Sequence, residues 1–185
     1  EIRAVTLSSL APRHGELLWD IGAGSGSVAI EWILASPAQR AIAIEARPDR
    51  AARIARNAAA LGVPGLDIVA GEAPAALADL PRPDAIFIGG GANRPGLLDA
   101  AIPALPSGGR LVANAVTLAT EAALIAHHAR LGGEMIRIAI SRAEQLGERT
   151  TEDGRKSTDT PDIRHSSAVV CRPAIPVTQW VWVKP

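Results

Sequence analysis

Apolar residues along this chain alternate between two patterns. Short unbroken runs at 17–21, 41–46, 66–70, 84–88 and 110–115 have the length and character of strands buried on both faces. Between them, apolar residues recur every three or four positions, predicting helices over 1–11, 27–35, 48–61, 95–105 and 117–131. Pro12 with Gly15, Gly62 with Pro64, and Gly132-Gly133 stand where three of these helices must stop. From 134 to 141 the period drops to two, with Ile136, Ile138 and Ile140 on one face, as in an antiparallel or edge strand. Residues 144–164 are polar and without period, which reads as a long mobile loop, either a functional lid or disorder. The segment 172–183 reads as a closing strand. Trp180 and Trp182 share a face of it, for core packing by default or as a platform for a planar ligand. Strand alternating with helix predicts an α/β fold, a mostly parallel sheet with an antiparallel edge strand and helices on both faces. The chain is expected to be one domain, 1–185, with a mobile polar loop at 144–171.

The candidate chemistry is concentrated at 17–32. A buried strand ending Asp20-Ile21 runs into Gly22-Ala23-Gly24-Ser25-Gly26 and then a nearly all-apolar helix. Glycines suit a turn of unusual φ that a ligand approaches against bare backbone. The dinucleotide fingerprint G-x-G-x-x-G requires glycine where Ser27 stands, so this G-x-G-x-G variant favours S-adenosylmethionine (SAM) over NAD. A sulfonium nucleoside has no pyrophosphate to rest on the helix start. Asp20 is then the candidate partner of its cationic methionine end. Glu45 closes the second strand about 20 residues past the glycines, where a carboxylate accepts from ribose hydroxyls. That feature supports an adenosine ligand without choosing between the two cofactors. Gly71-Glu72-Ala73-Pro74 follows the third strand, beside the expected adenine. The Ala73 backbone is placed against a ring nitrogen and Glu72 against the exocyclic amine; an exposed loop acid is the competing reading of Glu72. Gly89-Gly90-Gly91 follows the fourth strand with no reactive side chain, leaving backbone to line a pocket for a large, flat substrate. Arg47, Arg50, Arg53 and Arg56 fall three apart, for an anion or RNA contact or, as favoured here, a solvated helix face.

Composition narrows the partners. Lys+Arg and Asp+Glu both total 19 in 185 residues, so no global basic field draws nucleic acid or an anionic membrane. No apolar run reaches the roughly 20 residues of a membrane span. The lone Cys171 fits a reducing cytoplasm. The chain starts at Glu1 inside a predicted helix and is expected to be a fragment of a longer protein.

Five segments together carry a family resemblance. They are Trp-Asp-Ile-Gly-Ala-Gly-Ser-Gly-Ser-Val-Ala-Ile-Glu-Trp at 19–32, Gly-Glu-Ala-Pro at 71–74 and Ile-Gly-Gly-Gly at 88–91, with Gly-Gly-Arg-Leu-Val-Ala-Asn-Ala-Val-Thr-Leu at 108–118 and Arg-Pro-Ala-Ile-Pro-Val-Thr-Gln-Trp at 172–180. The chain resembles, over nearly its whole length, the C-terminal domain of the precorrin-6Y C5,15-methyltransferase (decarboxylating) family of cobalamin biosynthesis. The resemblance implies a class I SAM-dependent, Rossmann-like methyltransferase fold. It also implies methylation of carbon 15 of a precorrin, with loss of the ring C acetate carboxyl, beside a fused N-terminal methyltransferase domain that acts on carbon 5. A homo-oligomer, a tetramer in that family, is implied as well. The cofactor set expected on both grounds is Asp20, Gly22, Ala23, Gly24, Ser25, Gly26, Glu45, Ala46, Gly71, Glu72, Ala73 and Gly89. Gly90, Gly91, Asn114, Arg142, Arg149 and Arg172 are the substrate candidates, the arginines because guanidinium pairs bidentately with carboxylate. No catalytic side chain and no metal site is assigned. The family's threonine-lysine pair before the position of Glu1 is missing, and the stretch 147–171 is longer than its counterpart. Alternative readings are an RNA or protein methyltransferase on the same fold, a SAM-binding module silent without its fused domain, and an NAD oxidoreductase.

Overall fold

A computed structural model of the chain describes residues 1–145 and 169–185. The chain divides into two compact units, Glu1–Ile138 with Val177–Pro185, and Ala139–Pro176. In the first, strands β1 (Leu17–Ile21), β2 (Arg40–Glu45), β3 (Asp67–Ala70), β4 (Ala85–Ile88), β5 (Arg110–Ala115), β6 (Glu134–Ile138) and β9 (Val177–Val183) form one sheet of order β3-β2-β1-β4-β5-β9-β6. β1 to β5 pair in parallel, as their unbroken apolar runs predict. The antiparallel strand is β9, wedged between β5 and β6, so it lies one place in from the edge that β6 forms.

Strand alternation sorts the core into two layers. Leu17, Trp19, Ile42, Ile44, Ile86 and Leu111 face α4 (Leu97–Ala104) and α5 (Leu118–Leu131). Leu18, Ala41, Ala43, Ala85, Phe87 and Val112 face α1 (Ile2–Leu10), α2 (Ser27–Leu34) and α3 (Pro48–Ala60). Trp180 and Trp182 belong to the first layer and are buried. Their indole N–H groups donate to the carbonyls of Gly132 and Leu131, closing the end of α5. The tryptophans are therefore core, and no ligand platform forms.

Gly26 caps α2 with φ of 77°, and a Cβ there would stand 2.7 Å from Ile54 Cγ2 of α3. This glycine serves helix packing as well as the turn. Residues 172–183, expected as one strand, split into β8 (Val169–Pro173) and β9, with Pro176 unable to donate to a continuous ladder. β8 pairs with β7 (Ser141–Gln145) as an antiparallel ribbon in the second unit. Residues 144–145 and 169–171 of the expected polar loop thus belong to strands, and 146–168 lie outside the described residues.

At the sheet's lower end, Arg110 of β5 forks onto Glu16, Nη1 to Oε1 at 2.8 Å and Nη2 to Oε2, while its Nε donates to the Leu10 carbonyl at 2.6 Å. Burial pushes the Glu16 carboxyl up, but the hydrogen bonds and charge of Arg110 outweigh it and hold the group below its ordinary value. Arg110→Ala would leave the half-buried Glu16 carboxylate with the Arg13 N–H alone and the Leu10 carbonyl without the Arg110 Nε. It is expected to cost about 3–5 kcal/mol in urea unfolding, with Arg110→Lys losing less.

Candidate functional site

In open α/β sheets, ligands bind where the strand order reverses, outside the carboxyl ends of the strands. Here that point lies between β1 and β4, and a cleft of about 280 Å³ opens there. Its floor is Ile21, Ile44 and Leu97. Its walls are Gly22, Glu45, Ala46, Gly71, Ala73 and Gly89–Gly91, with Arg47, Arg50 and Arg94 around them.

The walls are mostly backbone, held by hydrogen bonds that extend the sheet past its strands. Gly22 and Ala23 N–H donate to the Ile44 carbonyl, Gly71 N–H to that of Glu45, and Gly89 N–H to that of Ile21. The loops after β1 and β4 meet closely. A Cβ on Gly22 would lie 3.2 Å from the Gly90 carbonyl oxygen, and one on Gly89 would lie 3.2 Å from that of Gly22. Side chains on either loop would fill the cleft or push the loops apart.

Glu45 is the carboxylate that organises this loop pair. It is 5% exposed, and its Oε2 accepts from Gly24 N–H at 2.9 Å while Oε1 accepts from Arg47 N–H at 3.0 Å. An ionised carboxylate has about four acceptor positions. The two that remain belong to a group lining the cleft, which suits the ribose hydroxyls expected there. Helix α3 secures the glycine loop from outside: Arg53 donates to the Gly24 carbonyl at 3.2 Å and Asn57 to that of Ser25 at 2.9 Å. Three members of the arginine stripe therefore touch the site region, Arg47 and Arg50 as cleft lining and Arg53 through the loop. Arg47 pairs with the exposed Asp49.

Asp20 departs from its expected place. It is 1% exposed, does not line the cleft, and its Oδ2 accepts from Ala29 N–H at 3.1 Å, in the first turn of α2. Gly26 offers no side chain to cap that helix, so Asp20 supplies the cap from below. Its other oxygen, Oδ1, has no hydrogen-bond partner among the described residues. Burial raises the carboxyl to about 7, against the Ala29 hydrogen bond and helped by the nearby Glu45 charge. Strand parity places Asp20 with Leu18 on the helix α2 side, and that alternation was the signal for its role.

Of the expected cofactor set, Gly22, Glu45, Ala46, Gly71, Ala73 and Gly89 line the cleft, as do the substrate candidates Gly90 and Gly91. Ala23, Gly24, Ser25 and Gly26 build the loop behind it. Glu72, beside the cleft rather than among its lining residues, ion-pairs with Arg94, a cleft residue that sequence reading did not single out. Asn114 is taken up elsewhere. Its amide donates to Thr6 Oγ1 at 3.0 Å and accepts from Gln179 at 2.8 Å, tying α1 to β5 and β9. Arg142 and Arg172 face each other in register on the β7–β8 ribbon, in the second unit, and Arg149 lies outside the described residues. Among the described residues, no three His, Cys, Asp or Glu side chains gather into a metal-ion cluster.

The sheet order and the cleft at its reversal define a class I, Rossmann-like methyltransferase fold. The chain belongs to a family described as the precorrin methyltransferase domain, whose model matches residues 1–157. It is 60% identical over 184 residues to a precorrin-6Y C(5,15)-methyltransferase [decarboxylating] of Sinorhizobium sp, covering 100% of this chain and 40% of that protein. It is 33% identical over 150 residues to the cobalt-precorrin-6B C(15)-methyltransferase (decarboxylating) of Salmonella typhimurium, covering 79% of this chain and 77% of that one. The solved C-terminal domain of precorrin-6Y C5,15-methyltransferase from Rhodobacter capsulatus superposes with a TM-score of 0.82 at 46% identity, over 99% of this chain and 88% of that domain. The chain spans about 40% of the length of the first curated relatives it matches.

The raised Asp20 carboxyl gives stability a pH dependence. From about pH 4, where an unfolded Asp ionises, to about pH 7, the folded chain keeps a proton that the unfolded chain has released. Stability is therefore expected to fall as pH rises through that window, by up to about 4 kcal/mol, and to level off above it. In urea titrations across that range, Asp20→Asn should flatten this component of the slope.

Proposed function

We propose that the cleft binds SAM and that the domain methylates carbon 15 of a precorrin and removes the carboxyl of its ring C acetate. One comparison carries the reading. The relative named for both carbons is much longer than this chain, whereas the one named for carbon 15 alone has 77% of its length covered. The part they share with this chain is then the C15-methylating, decarboxylating part. In the full-length protein, a fused N-terminal domain supplies the carbon 5 activity. Assembly into a homo-oligomer, a tetramer, and a cytoplasmic setting complete the proposal.

The site's chemistry supports a sulfonium nucleoside over a dinucleotide. The N–H groups of Gly22, Ala23, Gly24 and Gly26 are all committed to protein acceptors, which favours a ligand without a pyrophosphate at this loop. Glu45 would accept from the ribose hydroxyls, while the turn at Gly71 and Ala73 borders the base. The backbone of Gly22 and Gly89 would flank the methionine end. When bound, SAM supplies an electrophilic methyl group. Among the described residues, the lining side chains include no Ser, Thr, Cys, His or Lys, so the nucleophile is assigned to an electron-rich bridge carbon of the substrate. The protein's share is then to position that carbon and exclude water, an effect worth roughly 7–11 kcal/mol when the geometry is good. Gly90 and Gly91 leave flat backbone for a macrocycle to lie against.

Calorimetry should detect S-adenosylhomocysteine binding to the chain and no competition from NADH at equal concentration; the reverse preference would overturn the cofactor assignment. Glu45→Ala should weaken that binding at least tenfold, since charged hydrogen bonds are worth about 1.5–3 kcal/mol each. With SAM and the precorrin, mass spectrometry should find one methyl group added and carbon dioxide released, and unaltered substrate would contradict the reaction assigned.

A further inference from the structure

The chain as a whole is charge-neutral, but its cleft is not. Among the lining residues, three arginines, Arg47, Arg50 and Arg94, accompany a single carboxylate, Glu45. Such an excess concentrates anions at the mouth of a low-dielectric cleft. Arg47 and Arg94 differ in what holds them. Arg47 is engaged by Asp49, its neighbour on the exposed start of α3. Arg94 stands on the opposite side, on the loop after β4, and its stem lies against Gly91 within 3.1–3.7 Å of where a Cβ would be. Its guanidinium meets Glu72, which comes from the loop after β3. Arg94 is 45% exposed and Glu72 67% exposed, so this pair is the exposed kind that contributes little to stability and exchanges readily.

We infer that Arg94 is the receptor for a carboxylate of the substrate, and that Glu72 occupies its guanidinium until the substrate arrives. The inference rests on the reading of the cleft as a precorrin methyltransferase site and adds a substrate-specificity residue to it. A precorrin carries many carboxylates around its ring, and one of them can replace Glu72 on Arg94, carboxylate for carboxylate. A guanidinium receives a carboxylate through two parallel N–H donors, which fixes the ring's orientation as well as holding it. Arg94 also continues the glycine segment 89–91, so the anchored ring would lie beside a backbone wall and not a side chain. The candidates from the sequence, Arg142 and Arg172, sit in the ribbon unit; Arg94 sits at the cleft itself.

The two partners of a merely structural ion pair would fail together, whereas a receptor and its placeholder must respond in opposite directions. Uroporphyrin III, a stable octacarboxylate tetrapyrrole, serves as the probe, titrated into the 185-residue chain and followed by its own fluorescence anisotropy. Arg94→Ala is expected to weaken its binding on the order of tenfold, and Arg94→Lys less. Glu72→Gln, which keeps the shape and removes the competing charge, is expected to tighten binding several-fold. All of these affinities should fall as salt is raised. Calorimetry with S-adenosylhomocysteine, run in parallel on the wild-type chain and Arg94→Ala, should show that the variant still folds and binds it, with a smaller loss of affinity than for the porphyrin. Porphyrin binding that is absent, that survives Arg94→Ala unchanged, or that shifts the same way in Arg94→Ala and Glu72→Gln would overturn the inference. If S-adenosylhomocysteine still binds in those cases, the methyltransferase reading stands without it.

Discussion

The site depends on where one carboxylate puts its two oxygens. Glu45 reaches sideways from the end of β2 to the Gly24 amide on one hand and the Arg47 amide on the other. These bonds join the loop after β1 to the entry of α3, and α3 returns the support through Asn57 and Arg53. A loop containing three glycines has a large conformational entropy to lose, and here that loss is offset by bonds to nearly every amide it contains. The cleft is accordingly built before any ligand enters, which lowers the ordering cost of binding.

Two acids on neighbouring strands, Asp20 and Glu45, show how environment divides roles. Both look like strand-end carboxylates in sequence. Asp20 points under α2, caps its first turn and, raised to about 7 by burial, holds its proton well above the usual carboxylate range. Glu45 lines the cleft and accepts from two amides, with acceptor capacity left over. A third acid, Glu72, is held by Arg94 at the cleft's side. Three carboxylates around one loop system thus serve as a cap, an organiser and a placeholder, set by burial and partner and not by residue type.

What the sequence revealed was whatever depended on local pattern. The parallel strands, the glycine turn and Glu45 were legible because each rests on residues adjacent in the chain or at a recurrent spacing. The position of β9 inside the sheet was not, since an antiparallel strand reads alike at an edge or one place in. Asp20 reads as a ligand partner when only its place near a strand end is considered, whereas strand parity sets it with Leu18 on the face that α2 covers. Asn114 sits in a recognisable motif, but its bonds to Thr6 and Gln179 span 108 and 65 residues. The meeting of Glu72 with Arg94 likewise depends on two loops whose approach no periodicity encodes. The β7–β8 ribbon was lost in a stretch whose polar composition masked its pairing.

The central claim is that a preformed backbone cleft at the reversal of the sheet, gripped by Glu45, holds the cofactor's nucleoside. A crystal structure of the chain grown with S-adenosylhomocysteine tests it most directly. Density is expected between Gly22 and Gly89, with both ribose hydroxyls on Glu45 and the glycine loop unmoved. Ligand bound elsewhere, or bound only after Glu45 has released Gly24 and Arg47, would contradict it.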